Sequence, residues 1–428
     1  MFRRRATAKS IGRATAIVLV SLYLLLLRGD VFTLNPAQEA SSKYAFDLIG
    51  WHLSNSMSKW IHRALRTIPG QAISDSERLA LVDEYFRLGN VENDIKGRLN
   101  VATSRPTETA SEVKRLQDEL DRVHRLRHDI RNDVEEALES EISSVARAEG
   151  LGLVGELVIP PVDVRLVETP KALITSPRDT IVWQDSVLLD PHMSVESREE
   201  IEDALLETED LSALVLDIGG VATYPASVYN GADLNATLSL MAHEWLHHYL
   251  FLRPLGQNMF DSPDMHVLNE TVADLGGREL GGIARERIEA RMPITVPASL
   301  GTTSDILDAA PAPANDFDFR REMQETRRAV DALLAGGEVE IAESYMETRR
   351  RMFVDNGHPI RKLNQAYFAF NGTYAESPAS VNPIGGEVRR LRDLSPDFGA
   401  FISLVSGVSN YAEFLDVLSE VEAAGQSN

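Results

Sequence analysis

Near the amino terminus the apolar residues form one run with no periodicity. Ala14 to Leu27 (ATAIVLVSLYLLLL) is uncharged, with Arg3, Arg4, Arg5, Lys9 and Arg13 before it and Arg28 after it. A basic flank ahead of such a run is the pattern of an export signal, and the want of a convincing small-x-small cleavage site favours an uncleaved signal anchor over a cleaved signal. The positive-inside rule then predicts a single-pass protein of the cell membrane, with residues 1–35 as basic cytoplasmic tail and anchor and the rest extracytoplasmic.

Beyond the run the period becomes helical. Tyr44 to Leu65 alternates apolar and polar faces and carries Trp51 and Trp60. A second helix starts at Ser74. After Pro106, Thr109 and Glu112 make a capping-box pattern, and Val113, Leu116, Leu120, Val123, Ile130, Val134 and Ala137 follow a heptad-like spacing interrupted at Arg127. Residues 36–150 are therefore predicted to be a helical or coiled-coil region, in which the stretch after Pro106 is a long charged helix, a helical hairpin or short coiled coil ending near Gly150, with His124 and His128 on its solvated face. After Gly150, β-branched runs broken by Pro, Gly and Asp predict strands, and Pro225 confines the strand that contains it to a sheet edge. Asp233 opens a helix and a further helix follows around Leu268. The fold class expected is α+β: a core over 151–292, a Pro/Ala-rich linker or surface loop over 293–318, and a helical C-terminal subdomain over 319–428.

Composition narrows the chemistry. The 428 residues include no cysteine, so a metal would have to be held by His, Asp or Glu. A net charge of −22 opposes nucleic-acid phosphates, and no nucleic-acid partner is expected. Within AHEWLHHYL (Ala242–Leu250), His243 and His247 lie one helical turn apart on one face, a spacing that suits two ligands of one zinc ion. Ala236, Leu240 and Leu250 share that stripe, which reads as a buried apolar face interrupted by the two imidazoles. Glu244 is rotated beside them, placed to take a proton from a bound water, while His248 is a neighbour and not a ligand. In NETVAD, Glu270 and Asp274 are again four apart, so Glu270 can be the third ligand and Asp274 can accept the free N–H of a ligand histidine.

HEWLH followed by NETVAD resembles the gluzincin branch of zinc metallopeptidases, and ATYPA, AHEWLHHYL, LRPLG and NETVADLGG together resemble an uncharacterised family of membrane-anchored bacterial proteins. The motif match covers about residues 219–282. The resemblance implies a zincin-like core with Zn2+ held by His243, His247 and Glu270, Glu244 as general base, and Asp274 and Asn269 orienting the histidines. It also implies a peptide or protein substrate lying along the strand that precedes the catalytic helix, here within Gly219–Val228. The GxMEN motif of the aminopeptidase subgroup is missing. A peptidase also needs an oxyanion stabiliser; Tyr374, Tyr367 and His358 are candidates, with Tyr374 first because it follows Asn371-Gly372, where a helix should end. Two other readings stay open: a zinc hydrolase of another envelope amide, and a non-catalytic scaffold with a structural metal.

Overall fold

The computed structural model describes residues 33–66, 68, 73–103, 110–152, 157–292 and 317–426. The described residues are mixed α and β, mostly helical, with two small sheets. In order, the helices are α1 (Pro36–Ser41), α2 (Leu48–Arg66), α3 (Asp75–Thr103), α4 (Ala110–Ala148), α5 (Val195–Glu209), α6 (Leu234–Phe251), α7 (Pro254–Gln257) and α8 (Pro263–Arg291). They continue with α9 (Phe319–Ala335), α10 (Val339–Asp355), α11 (Gln365–Asn371), α12 (Ile384–Leu394), α13 (Phe398–Val405) and α14 (Tyr411–Gln426). The strands are β1 (Val164–Val167), β2 (Lys171–Pro177), β3 (Asp185–Leu189), β4 (Leu211–Asp217), β5 (Gly220–Val221) and β6 (Ala226–Tyr229).

No helix among the described residues is long and apolar enough to cross a membrane. A span needs roughly 20 apolar residues, whereas the long helices α3, α4 and α8 are charged throughout. The expectation of a single-pass membrane protein with an extracytoplasmic domain is thereby overturned; the run Ala14–Leu27 that prompted it lies outside the described residues, as do Thr109 and residues 293–316 of the expected loop.

Helices α3 and α4 form the expected hairpin, joined through Leu88, Ile95, Leu116 and Val123. Arg127, the break in the heptad, is buried because it bonds Glu92 at 2.7 Å and the Gly231 carbonyl at 2.9 Å. His124 faces the same Glu92 at 3.1 Å and joins no candidate metal group among the described residues.

One sheet has the order β3-β2-β4, all antiparallel; the other has β1-β6-β5, with β1 parallel to β6. Placement of Pro225 at a sheet edge is corrected here, since β6 is the central strand. Pro225 precedes its first residue, so no ladder bond asks for the missing N–H. The outer edge of β1 is satisfied from α4: Glu139 accepts from the Val164 N–H and Glu135 from the Leu166 N–H, both at 2.8 Å. Those carboxylates also draw in α2, whose Lys59 is 1% exposed and meets Glu139, the Val164 carbonyl and, at 2.8 Å, Asp163. Burial raises the Glu139 carboxyl to about 7 against the opposing pull of Lys59. Helix α2 thus turns its polar face inward and leaves Ile49, Leu53 and Trp60 exposed. With β1 covered, β5 is the edge of this sheet that no other described strand pairs.

The main core joins α3, α4, β1 and β6 to α6, α8 and the C-terminal α12–α14, through residues such as Trp245, Val272, Val388 and Phe398. The helices of residues 319–426 join more than one hydrophobic cluster. Helices α9 and α10 pack on each other and on α11, whose Ala366 and Phe370 lie against the β3-β2-β4 sheet, while α12–α14 close over α8. Helix α6 starts where expected, with Asp233 accepting from the Ala236 N–H at 2.7 Å. Ser262 caps α8 in the same way, ahead of Pro263.

Helices α6 and α8 approach closely because α8 presents glycine where they touch. A Cβ on Gly281 would lie 2.6 Å from the Ser239 nitrogen, and one on Gly277 would lie 2.9 Å from the His243 Cβ. We expect Gly281→Ala to push the helices apart and to destabilise the fold by about 1–3 kcal/mol. A lowered midpoint in chemical denaturation is the readout; an unchanged midpoint would show that the seam has slack.

Candidate functional site

The seam sets Glu270 of α8 opposite His243 and His247 of α6. Glu270 Oε2 is 3.6 Å from His243 Nε2, Glu270 Oε1 is 3.6 Å from His247 Nε2, and the two Nε2 atoms are 3.0 Å apart. Four ligands at roughly 2.0–2.1 Å around a tetrahedral ion stand about 3.3 Å from one another. The observed separations bracket that figure, and this trio can hold a metal ion. The donor set fits as well. Glu270 is 8% exposed, and among the described residues its ion-pair partners are His243, His247 and His266, with no lysine or arginine.

The electrostatics follow from burial and proximity. Burial and the charge of His247 lower His243 to about 4. Burial also works against protonation of His247, but the Glu270 carboxylate outweighs it and raises that imidazole to about 9. Glu270 is held well below the usual carboxylate range: burial opposes this, and His247 overcomes it. The Glu270 carboxylate therefore favours a proton on His247, while burial and the charge of His247 keep His243 neutral.

The imidazoles are oriented from behind by different groups. Asn269 Oδ1 lies 2.9 Å from His247 Nδ1, as expected. Asp274 does not take the partner role read for it. It ion-pairs with Arg278 at 2.9 Å, and the backbone of Ala273 supplies the hydrogen bond to His243 instead. The i+4 spacing puts Asp274 one turn beyond Glu270, where Arg278, a further turn along, is nearer than the imidazole. The face carrying the histidines is also less buried than its sequence pattern predicted. Leu238, Met241, Ala242, Trp245 and Leu246 make the core face of α6, Ala236 is exposed, and His243 and His247 form the wall of a cleft.

That cleft is a cavity of about 580 Å³ lined by the trio, Glu244, Tyr374 and the β5 edge. Glu244 is 5% exposed, and burial raises its carboxyl to about 8, with the Glu270 charge adding to the shift and His247 opposing it. Its carboxylate rests on the backbone of β5, where a Cβ on Gly220 would come within 2.7 Å of the carboxyl carbon. Tyr374 is raised well above its ordinary value, by burial first and then by Glu270 and Glu244, so its hydroxyl keeps its proton. Tyr367 packs among core residues and His358 stacks on Phe319 with ring centroids 4.0 Å apart, so neither reaches the cavity. His248 lines it without belonging to the trio.

Sequence reasoning missed two residues here. Gly220 left no signal, since its need is a contact between a strand and a helix distant in sequence. His266 left one: it is four residues before Glu270 and therefore on the same face, 3.7 Å from Glu270 Oε1.

Two substitutions separate the groups behind the imidazoles. Asn269→Ala should weaken metal binding by roughly 10–100-fold, whereas Asp274→Asn should leave it nearly unchanged; competition against a chromogenic chelator measures both. A loss at Asp274 equal to that at Asn269 would restore Asp274 to the metal centre. Compared with protein-family models, curated proteins and solved structures, this chain finds no match in any of the three.

Proposed function

We propose that this chain is a zinc-dependent peptidase of the gluzincin type, its core zincin-like, acting on peptides or proteins. The observation that carries the reading is the convergence of His243, His247 and Glu270, with Glu244 buried beside them and facing the same cavity. Two imidazoles and one carboxylate suit zinc better than calcium or magnesium, which take oxygen ligands. A structural site has no use for a buried, unpaired carboxylate next to its ligands, and this favours catalysis over a scaffold role.

When bound, zinc supplies Lewis-acid polarisation of the scissile carbonyl and a more acidic water. The chain's own groups do the rest. Glu244 accepts the proton from the attacking water and delivers it to the departing amine. Tyr374, kept neutral by burial, donates to the oxygen on which negative charge develops. Asn269 fixes the tautomer and orientation of His247. The free edge of β5 offers main-chain hydrogen bonds to an extended chain, which favours a peptide over other amides.

Glu244→Gln keeps size and hydrogen bonding but cannot accept the proton. It should retain zinc and lose hydrolysis by at least 10²–10⁴-fold, the usual contribution of general-base assistance. His243→Ala should lose both metal and activity. Metal content and turnover of a mixed peptide library test the pair. Hydrolysis by Glu244→Gln at the wild-type rate would overturn the mechanism. A zinc-loaded wild type that cuts nothing would favour the scaffold.

Gly220→Ala should cut activity while leaving zinc content unchanged, because the added methyl displaces the Glu244 carboxylate and touches no ligand. Zinc content and library turnover compared with wild type give the answer. Full activity would place the working position of Glu244 away from the strand.

A further inference from the structure

A second cavity, of about 880 Å³, is also lined by Glu270 but by none of His243, Glu244 and His247. Met259, Phe260 and Glu270 line both cavities, so the two spaces meet at the metal-ligating carboxylate. Each is within the roughly 300–1,000 Å³ that encloses a drug-sized ligand, enough for a short stretch of peptide. Resting on the peptidase reading, we propose that the two cavities are one groove holding a polypeptide on both sides of the metal centre, so that the bond cut is internal to the substrate chain.

The walls of the two halves differ. The first is apolar at its mouth, where Val221 is joined by Phe251, Leu252 and Phe260, which are 68%, 50% and 80% exposed. Exposed apolar side chains gathered around one concavity mark a binding surface, whereas scattered ones do not. The second half is mixed, with Trp183, Asp185, Ser186, His266, Arg327 and Asn382. Its wall is braced from the opposite sheet. Trp183, between β2 and β3, has its ring centroid 4.8 Å from His266 and 5.4 Å from Phe370. The other face of the junction is Phe260, 5.6 Å from the same imidazole. The β2–β3 connection is thereby fixed to α8 one turn before Glu270, and a substrate passing the metal centre meets a preformed surface.

An enzyme that removes terminal residues needs a group to hold the free terminus close to the metal. Among the described residues, Arg327 is the lysine or arginine lining either cavity, and it is already engaged by Asp331 at 3.0 Å and the Phe368 carbonyl at 3.3 Å. It leaves no free cation for a substrate α-carboxylate. The apolar half selects a bulky apolar side chain on its side of the cut bond, and the mixed half accepts varied residues on the other.

The test uses the full zinc-loaded chain and peptides acetylated at the amino end and amidated at the carboxyl end. Internal cleavage with a bulky apolar residue always on the same side of the cut is expected. Lengthening the peptide on either side should raise kcat/KM, because remote contacts contribute to the transition state. Val182→Trp and Ser186→Trp place bulk at exposed positions on the second wall. Each should reduce the gain from lengthening toward that half by about tenfold or more, corresponding to one ordinary subsite contact, and keep the gain on the other side. Zinc content and circular dichroism of both variants check that the fold is intact. Cleavage only of peptides with a free terminus would overturn the internal-cut groove while leaving the peptidase reading in place. Equal losses for both directions of lengthening would show that the second cavity is no subsite. If neither blocked nor free peptides are cut, the peptidase reading falls, and this inference with it.

Discussion

The closeness of α6 to α8 is the constraint on which the centre depends. Three ligand atoms must come within a few ångströms, yet they belong to two helices separated by a turn and a short helix. Helices usually pack with axes 8–10 Å apart, set by the side chains between them. Here Gly277 and Gly281 leave backbone against backbone, and the buried Glu270 carboxylate, about two turns before Gly277, reaches both imidazoles. The core residues around the pair, Trp245 and Phe398 among them, keep that distance short by filling the space outside the seam.

A second constraint is the asymmetry of the β1-β6-β5 sheet. Its β1 edge is closed by carboxylates of α4 that accept from strand N–H groups, themselves balanced by Lys59, Arg63 and Arg165. A buried network of this sort adds little net stability compared with apolar packing, because each charge loses its hydration. Its effect is to specify which edge stays free. The free edge is β5, and it lies in the cavity with the metal trio and Glu244. The same network turns the polar side of α2 inward, so that helix reads as amphipathic in sequence while its apolar side faces outward.

Much of the site was legible in the residues themselves. A helix period of 3.6 puts positions i and i+4 on one face, so HEWLH and NETVAD place His243 with His247 and keep Glu244 beside them whatever the tertiary structure. Asp233, Ser262 and Pro263 mark the starts of the two helices through local capping chemistry. Tyr374 was reachable in the same way, from the turn at Asn371-Gly372. Each of these depends on neighbours a few residues away.

Tertiary structure decided what local spacing leaves open. Asp274 shares a face with Glu270, yet Arg278, one turn further along the same helix, takes it with a 2.9 Å ion pair. Pro225 is compatible with an edge strand or with the position just before a central one, and only pairing with β1 and β5 chose between them. The partition of residues 319–426 between hydrophobic clusters depended on which surfaces α9–α14 found to cover. Gly220 against Glu244, and Trp183 against His266, join positions far apart in the chain. The histidine pair on α6 and the acid beside it were therefore set by sequence alone, through helix geometry. The distance from Glu270 to that pair, the β5 edge left unpaired among the described residues and the second cavity beside Glu270 were set by packing between distant segments, which no local pattern encodes.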